Sequence, residues 1–142
     1  MKRKWLPTLS DLIDRLSIHQ LKEVFIVENK DTYAREMKDI EHDIDSIISE
    51  KNLQLNAELI RTIIVLSQIN AHIWYNESSV RQGLEQDLHK LKLTHGLNGI
   101  RNRAMNLIKI LCSEADRVDF KIDCLAAEFK DWEISLFDRE DE

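Results

Sequence analysis

From Ala104 to Leu136 the apolar residues fall at Ala104, Ile108, Leu111, Ala115, Val118, Ile122, Leu125, Phe129, Trp132 and Leu136, in alternating steps of four and three. Steps of that kind form a heptad seam, and they predict a single C-terminal helix running to about Phe137. Begun at Asn98, such a helix would be about 60 Å long at 1.5 Å per residue, roughly twice the diameter of a small domain. Its far end needs cover, either from the first two helices folded back along it or from a second copy of the chain. The second arrangement, a homo-oligomer, is the expected one, although the residues at the seam do not specify a parallel dimer.

Upstream the seam fails. In Gly96-Leu97-Asn98-Gly99-Ile100-Arg101-Asn102-Arg103 an arginine takes the place of an apolar knob, and two of the chain's three glycines sit beside two Asn and two Arg. A helix beginning afresh at Asn98 would present its free amides there, and with Arg101 and Arg103 in its first turn would attract an anion. A helix beginning near Asp87 would run through the same residues without a terminus.

One proline and three glycines in 142 residues are too few for the turns of a sheet protein, so the chain is expected to be all-α. The expected architecture is a single-domain antiparallel bundle, residues 1–142, with a frayed acidic tail from 138 to 142. The net charge of -6 disfavours long nucleic acid. Between Arg81 and Lys109, however, six bases stand against two acids, which suits a compact anionic ligand. Cys112 and Cys124 lie about 18 Å apart along one predicted helix and cannot bridge each other there. With no apolar leader after Met1-Lys2-Arg3-Lys4-Trp5, a reducing cytoplasm is expected. Leu59 to Tyr75, the most apolar run, carries Arg61, Gln68, Asn70 and His72, so no membrane span is expected.

Thr8 and Ser10 after Pro7 start a first helix that should run to about Val27. Asp31 or Thr32 caps a second, whose narrow stripe (Tyr33, Met37, Ile40, Ile44, Ile47, Ile48) places it at the edge of the bundle. A third, from Ala57 to about Ser78, is apolar nearly all round and should be central. A turn follows near Gln82 to Glu85.

If the chain reverses there, Asn70 comes opposite Asn98, and Trp74 opposite His95. Asn70, Trp74, Glu77 and Arg81 share one face of the third helix. Asn98, Arg101 and Asn102, with Arg103 beside them, oppose it. An aromatic wall with guanidinium and amide donors can stack on a base and grip a phosphate, Glu77 orienting Arg81. The same residues could instead fix only the register of the hairpin.

Leu12-Ile13-Asp14-Arg15-Leu16-Ser17-Ile18, Asn70-Ala71-His72-Ile73-Trp74 with Glu77 and Arg81, and Leu97-Asn98 with Arg101-Asn102 resemble the recurring segments of an uncharacterised helical family. Its members occur in bacteria and phages, often beside glycosyltransferase genes for surface polysaccharide. The resemblance implies a continuous helix through Asn98 and Arg101, and it is compatible with a bacterial or a phage-encoded origin, the place of action in the second case being the host cytoplasm.

A second constellation is acidic. Asp11 and Asp14 on the first helix could face Glu36, Asp39 and Asp43 on the second and hold Mg²⁺. That arrangement is similar to the all-α nucleoside triphosphate pyrophosphohydrolases, but Asp stands where that family has Glu and the paired-glutamate run is missing. The five histidines show no zinc spacing. The expected function is therefore a non-enzymatic protein that binds or sequesters a nucleotide or nucleotide signal, with no cofactor. The alternatives are a Mg²⁺-dependent pyrophosphohydrolase and an interaction module accessory to a glycosyltransferase, docking through the seam.

Overall fold

The computed structural model describes residues 1–81, 88–118 and 132–138, and the side chains of these except 79–81 and 88–91. Among the described residues there are four α-helices and no strand: α1 (Leu9–Phe25), α2 (Lys30–Lys51), α3 (Ala57–Arg81) and α4 (Leu88–Leu111). Short 3-10 turns lie at Val27–Asn29, Ala115–Arg117 and Ser135–Phe137. The expected turn at Gln82 to Glu85, the seam positions Ile122, Leu125 and Phe129, Cys124, and residues 139–142 of the acidic tail lie outside the described residues.

Local chemistry sets the helix ends. Thr8 caps α1 reciprocally: the Asp11 amide donates to Thr8 Oγ1 and the Thr8 amide to Asp11 Oδ2, both at 3.0 Å. Asn56 Oδ1 accepts from the Leu59 amide at 2.9 Å and starts α3. Asn52 ends α2 in the left-handed region at φ 50°, which asparagine tolerates better than most residues.

α1 packs on α2, and α3 on α4, as two hairpins, and α1 lies against both α3 and α4. One apolar core results, with Leu9 from α1, Leu66 and Ile69 from α3, Leu97, Ile100 and Ile108 from α4, and Leu136 from the C-terminal segment. α2 buries only Met37 and Ile40 and takes the edge, as its narrow stripe predicts. α3 contacts both α1 and α4, yet Ile60 and Ile64 remain 43% and 49% exposed, so one flank of this apolar helix is open. No helix among the described residues is long and apolar enough to cross a membrane.

The long C-terminal helix does not form. α4 ends at Leu111; Ser113 turns left-handed at φ 63°, and the Glu114 amide bonds back to the Lys109 carbonyl at 2.6 Å. The Ser113 amide reaches the Ile110 carbonyl at 3.4 Å, completing a Schellman-type end. Ala104 and Ile108 of the seam are core residues of α4, whereas Ala115 is exposed. Residues 132–138 lie back across the bundle: Trp132 meets His72 edge-on at 4.9 Å, Arg61 donates to Ser135 Oγ at 2.8 Å, and Leu136 is buried. Of the described seam positions, Ala104 and Ile108 are buried in α4 and Leu136 in the C-terminal segment, so this part of the seam belongs to two separate segments of one core. With α4 about 36 Å long, similar to α3, the geometric argument for a covering second copy disappears. So does the continuous seam as a docking surface.

Ser113 gives a direct check. Glycine is the favoured residue at a left-handed helix end but costs a helix interior roughly 1 kcal/mol. Ser113→Gly should raise the stability to urea by about 0.5 kcal/mol. A loss of that size would instead indicate a helix continuing through this point.

Candidate functional site

Three helices are joined by one carboxylate. Asp14, on the inner face of α1, is 6% exposed; its Oδ1 accepts from Asn70 Nδ2 of α3 at 2.9 Å and from Arg101 Nε of α4 at 2.9 Å. Its Oδ2 accepts a close bond from Arg101 Nη2. Asn70 Nδ2 also reaches Ser17 Oγ at 3.3 Å, and Ser10 Oγ donates to the Met105 carbonyl at 2.8 Å. Ser10, Asp14 and Ser17 thus form a polar stripe on α1 at steps of four and three. Ser10 meets Met105 and Asp14 meets Arg101, so α1 and α4 run antiparallel at this contact.

The α3–α4 register agrees with expectation. Asn76 Nδ2 donates to Thr94 Oγ1, within about two residues of the pairing that sets Asn70 opposite Asn98. α4 is continuous through Gly96 and Gly99, both buried, so no helix terminus exists at Asn98 to attract an anion. Each glycine costs helix stability but leaves the α4 surface low enough for a neighbour to lie over it.

Of the residues read as a site, Asn70, Trp74, Glu77, Asn98 and Arg101 line one cavity of about 380 Å³, closed on the α1 side by Ile18, Leu21, Lys22 and Ile26. Trp74 is half-buried and stacks on Phe25, with ring centroids 6.2 Å apart and planes at 27°. Asn102 is half-buried on α4 outside this lining. Arg103 is exposed and turned away, its guanidinium 4.5 Å from the Phe137 ring centroid. The Arg81 side chain, and with it the pairing to Glu77, lies outside the described residues.

No family model, curated protein or solved structure matches this chain. Its chemistry must be read from the side chains themselves.

Arg101 is the centre of that chemistry. Asp14 holds its guanidinium more firmly protonated than usual, chiefly through the hydrogen bond, which outweighs the opposing effect of burial; the charges of Asp14, Asp11 and Glu77 add to it. Asp14 occupies two of the five N–H donors, leaving three for the solvent-facing side of a side chain that is 27% exposed. The fork is thus fixed in direction before any ligand arrives, the condition for gripping a carboxylate or phosphate with little loss of entropy.

The acidic constellation separates. Asp11 belongs to the Thr8 cap, Asp14 to Arg101, and Glu36 to His19, whose Nε2 lies 2.6 Å from Glu36 Oε2. Asp39 is exposed on α2, and Asp43 sits 3.3 Å from His42. Among the described residues no group of three or more His, Cys, Asp or Glu could share a metal ion. Sequence reasoning assigned Asp14 to this group and missed it as the partner of Arg101; it also missed Lys22. The signal for Asp14 was present in Ser10, Asp14 and Ser17, polar residues at core spacing on a helix whose other stripe is apolar.

Proposed function

We propose that this chain is a non-enzymatic helical binding protein, acting in the cytoplasm, which holds a compact anionic ligand such as a nucleotide or nucleotide signal at the α1–α3–α4 junction. The observation that carries this reading is the orientation of Arg101 by Asp14 beside Trp74, Asn98 and Lys22, in a cavity within the size range of small-molecule sites. The indole supplies a stacking surface, the guanidinium a bidentate grip, Asn98 an amide for a base edge or sugar, and Lys22 a second positive charge. A register contact alone needs Asp14, Asn70 and Arg101; Lys22, whose ammonium also lies 5.8 Å from the Tyr33 ring centroid, adds a second cation at the rim.

Calorimetric titration with adenine and guanine nucleotides tests the reading. Arg101→Lys keeps the charge opposite Asp14 but lacks the planar fork, and Lys22→Ala removes a cation from the rim without touching the buried pair. Both variants should fold, and each should weaken nucleotide binding by about tenfold, the effect of losing one charge-assisted bond of roughly 1.5 kcal/mol. Silence of the wild-type protein across the panel, or full binding by both variants, would reject the site.

A further inference from the structure

A second cavity, of about 630 Å³, lies beyond Arg101 and is lined by Arg3, Trp5, Asp11, Arg15, His19 and Met105 among others. It shares Ile18, Lys22 and Arg101 with the smaller one. Ile18 and Lys22 stand one turn apart on the same face of α1, and Arg101 approaches that face from α4. On the α1 side the larger cavity runs from Pro7 to Lys22 and the smaller from Ile18 to Ile26; on the α4 side the lining passes from Met105 through Arg101 to Asn98. The two hollows are therefore halves of one furrow along the α1–α4 contact, and the residues common to both halves include its two central cations.

Each half also carries an indole with a fixed neighbour. Trp74 stacks on Phe25 in the smaller half. Trp5, 79% exposed, lines the larger half and has the Arg117 guanidinium 4.1 Å from its ring centroid. Arg3 and Arg15 add positive charge on the Trp5 side, while Asp11 there is already engaged by the Thr8 amide.

We infer that the furrow takes a single ligand with two nucleobases joined through phosphate, a dinucleotide or dinucleoside polyphosphate, with the phosphate linker at Arg101 and Lys22 and one base at each tryptophan. This inference rests on the anion-binding reading above and adds to it the second half-site. Base stacking on an aromatic side chain tolerates any base, and joining two half-sites through one linker makes the second contact intramolecular. The length of the furrow along α1, about 28 Å from Pro7 to Ile26, favours an extended linker over a compact ring.

Calorimetry with four probes tests it: AMP, ATP, cyclic di-AMP and diadenosine tetraphosphate, with the guanine counterparts run in parallel. The expected result is one two-base ligand bound per chain, at least about tenfold tighter than either mononucleotide of the same base. Trp5→Ala should reduce that ligand to the mononucleotide level while leaving mononucleotide binding at the Trp74 half within about twofold. Because Trp5 is so exposed, the variant should melt with the wild type, and a thermal scan verifies this. Equal affinity for one-base and two-base probes, or a Trp5→Ala protein that still prefers the two-base probe, overturns the inference and leaves the nucleotide site intact. If no probe binds the wild-type protein, the inference and the proposed function are both overturned.

Discussion

Asp14→Ala should lower the stability of this protein by about 3 kcal/mol, one of the largest effects expected of any single polar substitution in the chain. Removing one partner of a buried ion pair typically costs roughly 3–5 kcal/mol, because the other charge is left unpaired away from water. Arg101 is partly exposed, which places the value at the lower end, while the loss of an acceptor for the buried Asn70 amide keeps it from falling further. Denaturation in urea, followed by helix ellipticity, measures it. The paired variant Asp14→Leu with Arg101→Met removes both charges and should recover at least half the loss, since apolar residues of similar volume often replace a buried pair without penalty. A cost below about 1 kcal/mol for Asp14→Ala would mean that the carboxylate does not hold α1, α3 and α4 together. This result also bears on the binding experiments, because a full truncation at Arg101 would unpair Asp14 and confuse folding with affinity.

A comparable loss, about 3 kcal/mol, is expected for Glu114→Ala, although Glu114 is five residues beyond Lys109 in the last turn of α4 and far from the start of α1 in sequence. Its carboxylate is 6% exposed and accepts from the Leu9 amide at 2.9 Å and the Ser10 amide at 3.4 Å. Together with the Thr8–Asp11 box it satisfies the free amides at the start of α1, a helix end buried in the core. Without it two buried donors lose their acceptor, at roughly 1–3 kcal/mol each. Lys51 Nζ, 3.6 Å from the same carboxylate and 36% exposed, contributes little, so Lys51→Ala should cost less than about 1 kcal/mol. The same urea titration reads both variants, and a Glu114→Ala protein as stable as the Lys51→Ala one would show that Glu114 is not a cap. Burial, with the Glu114 charge adding to it, pushes the neighbouring Cys112 thiol up from its usual range, so this cysteine is a packing residue.

The helices were legible because their signals are local. Thr8 with Asp11 starts α1, and the narrow stripe of α2 predicts an edge helix within a few residues of its observed bounds, although α2 begins at Lys30 and holds Asp31 and Thr32, the expected caps, inside its first turn. The hairpin register that brings Asn70 near Asn98 was legible too, since a short connection between two long helices leaves few alternatives. Five of the eight residues read as a site share one cavity for this reason.

What the sequence determined by itself was the first three helices and the apolar stripe of each; what the tertiary structure alone decided was which part of each stripe is covered, where the C-terminal helix stops and what Arg101 meets. Apolar spacing reports burial, and from Ala104 to Leu136 it is satisfied equally by one long helix and by a helix followed by a returning segment. A glycine at position 113 would have marked the break, but serine carries no such signal, and the turn there accompanies the Glu114 bonds to Leu9 and Ser10 at the other end of the chain. Arg101 likewise looked like a helix-terminus or hairpin residue until Asp14, 87 positions away, was brought against it. Contacts of that separation leave no periodic trace, because each partner satisfies its own helix pattern wherever the other lies.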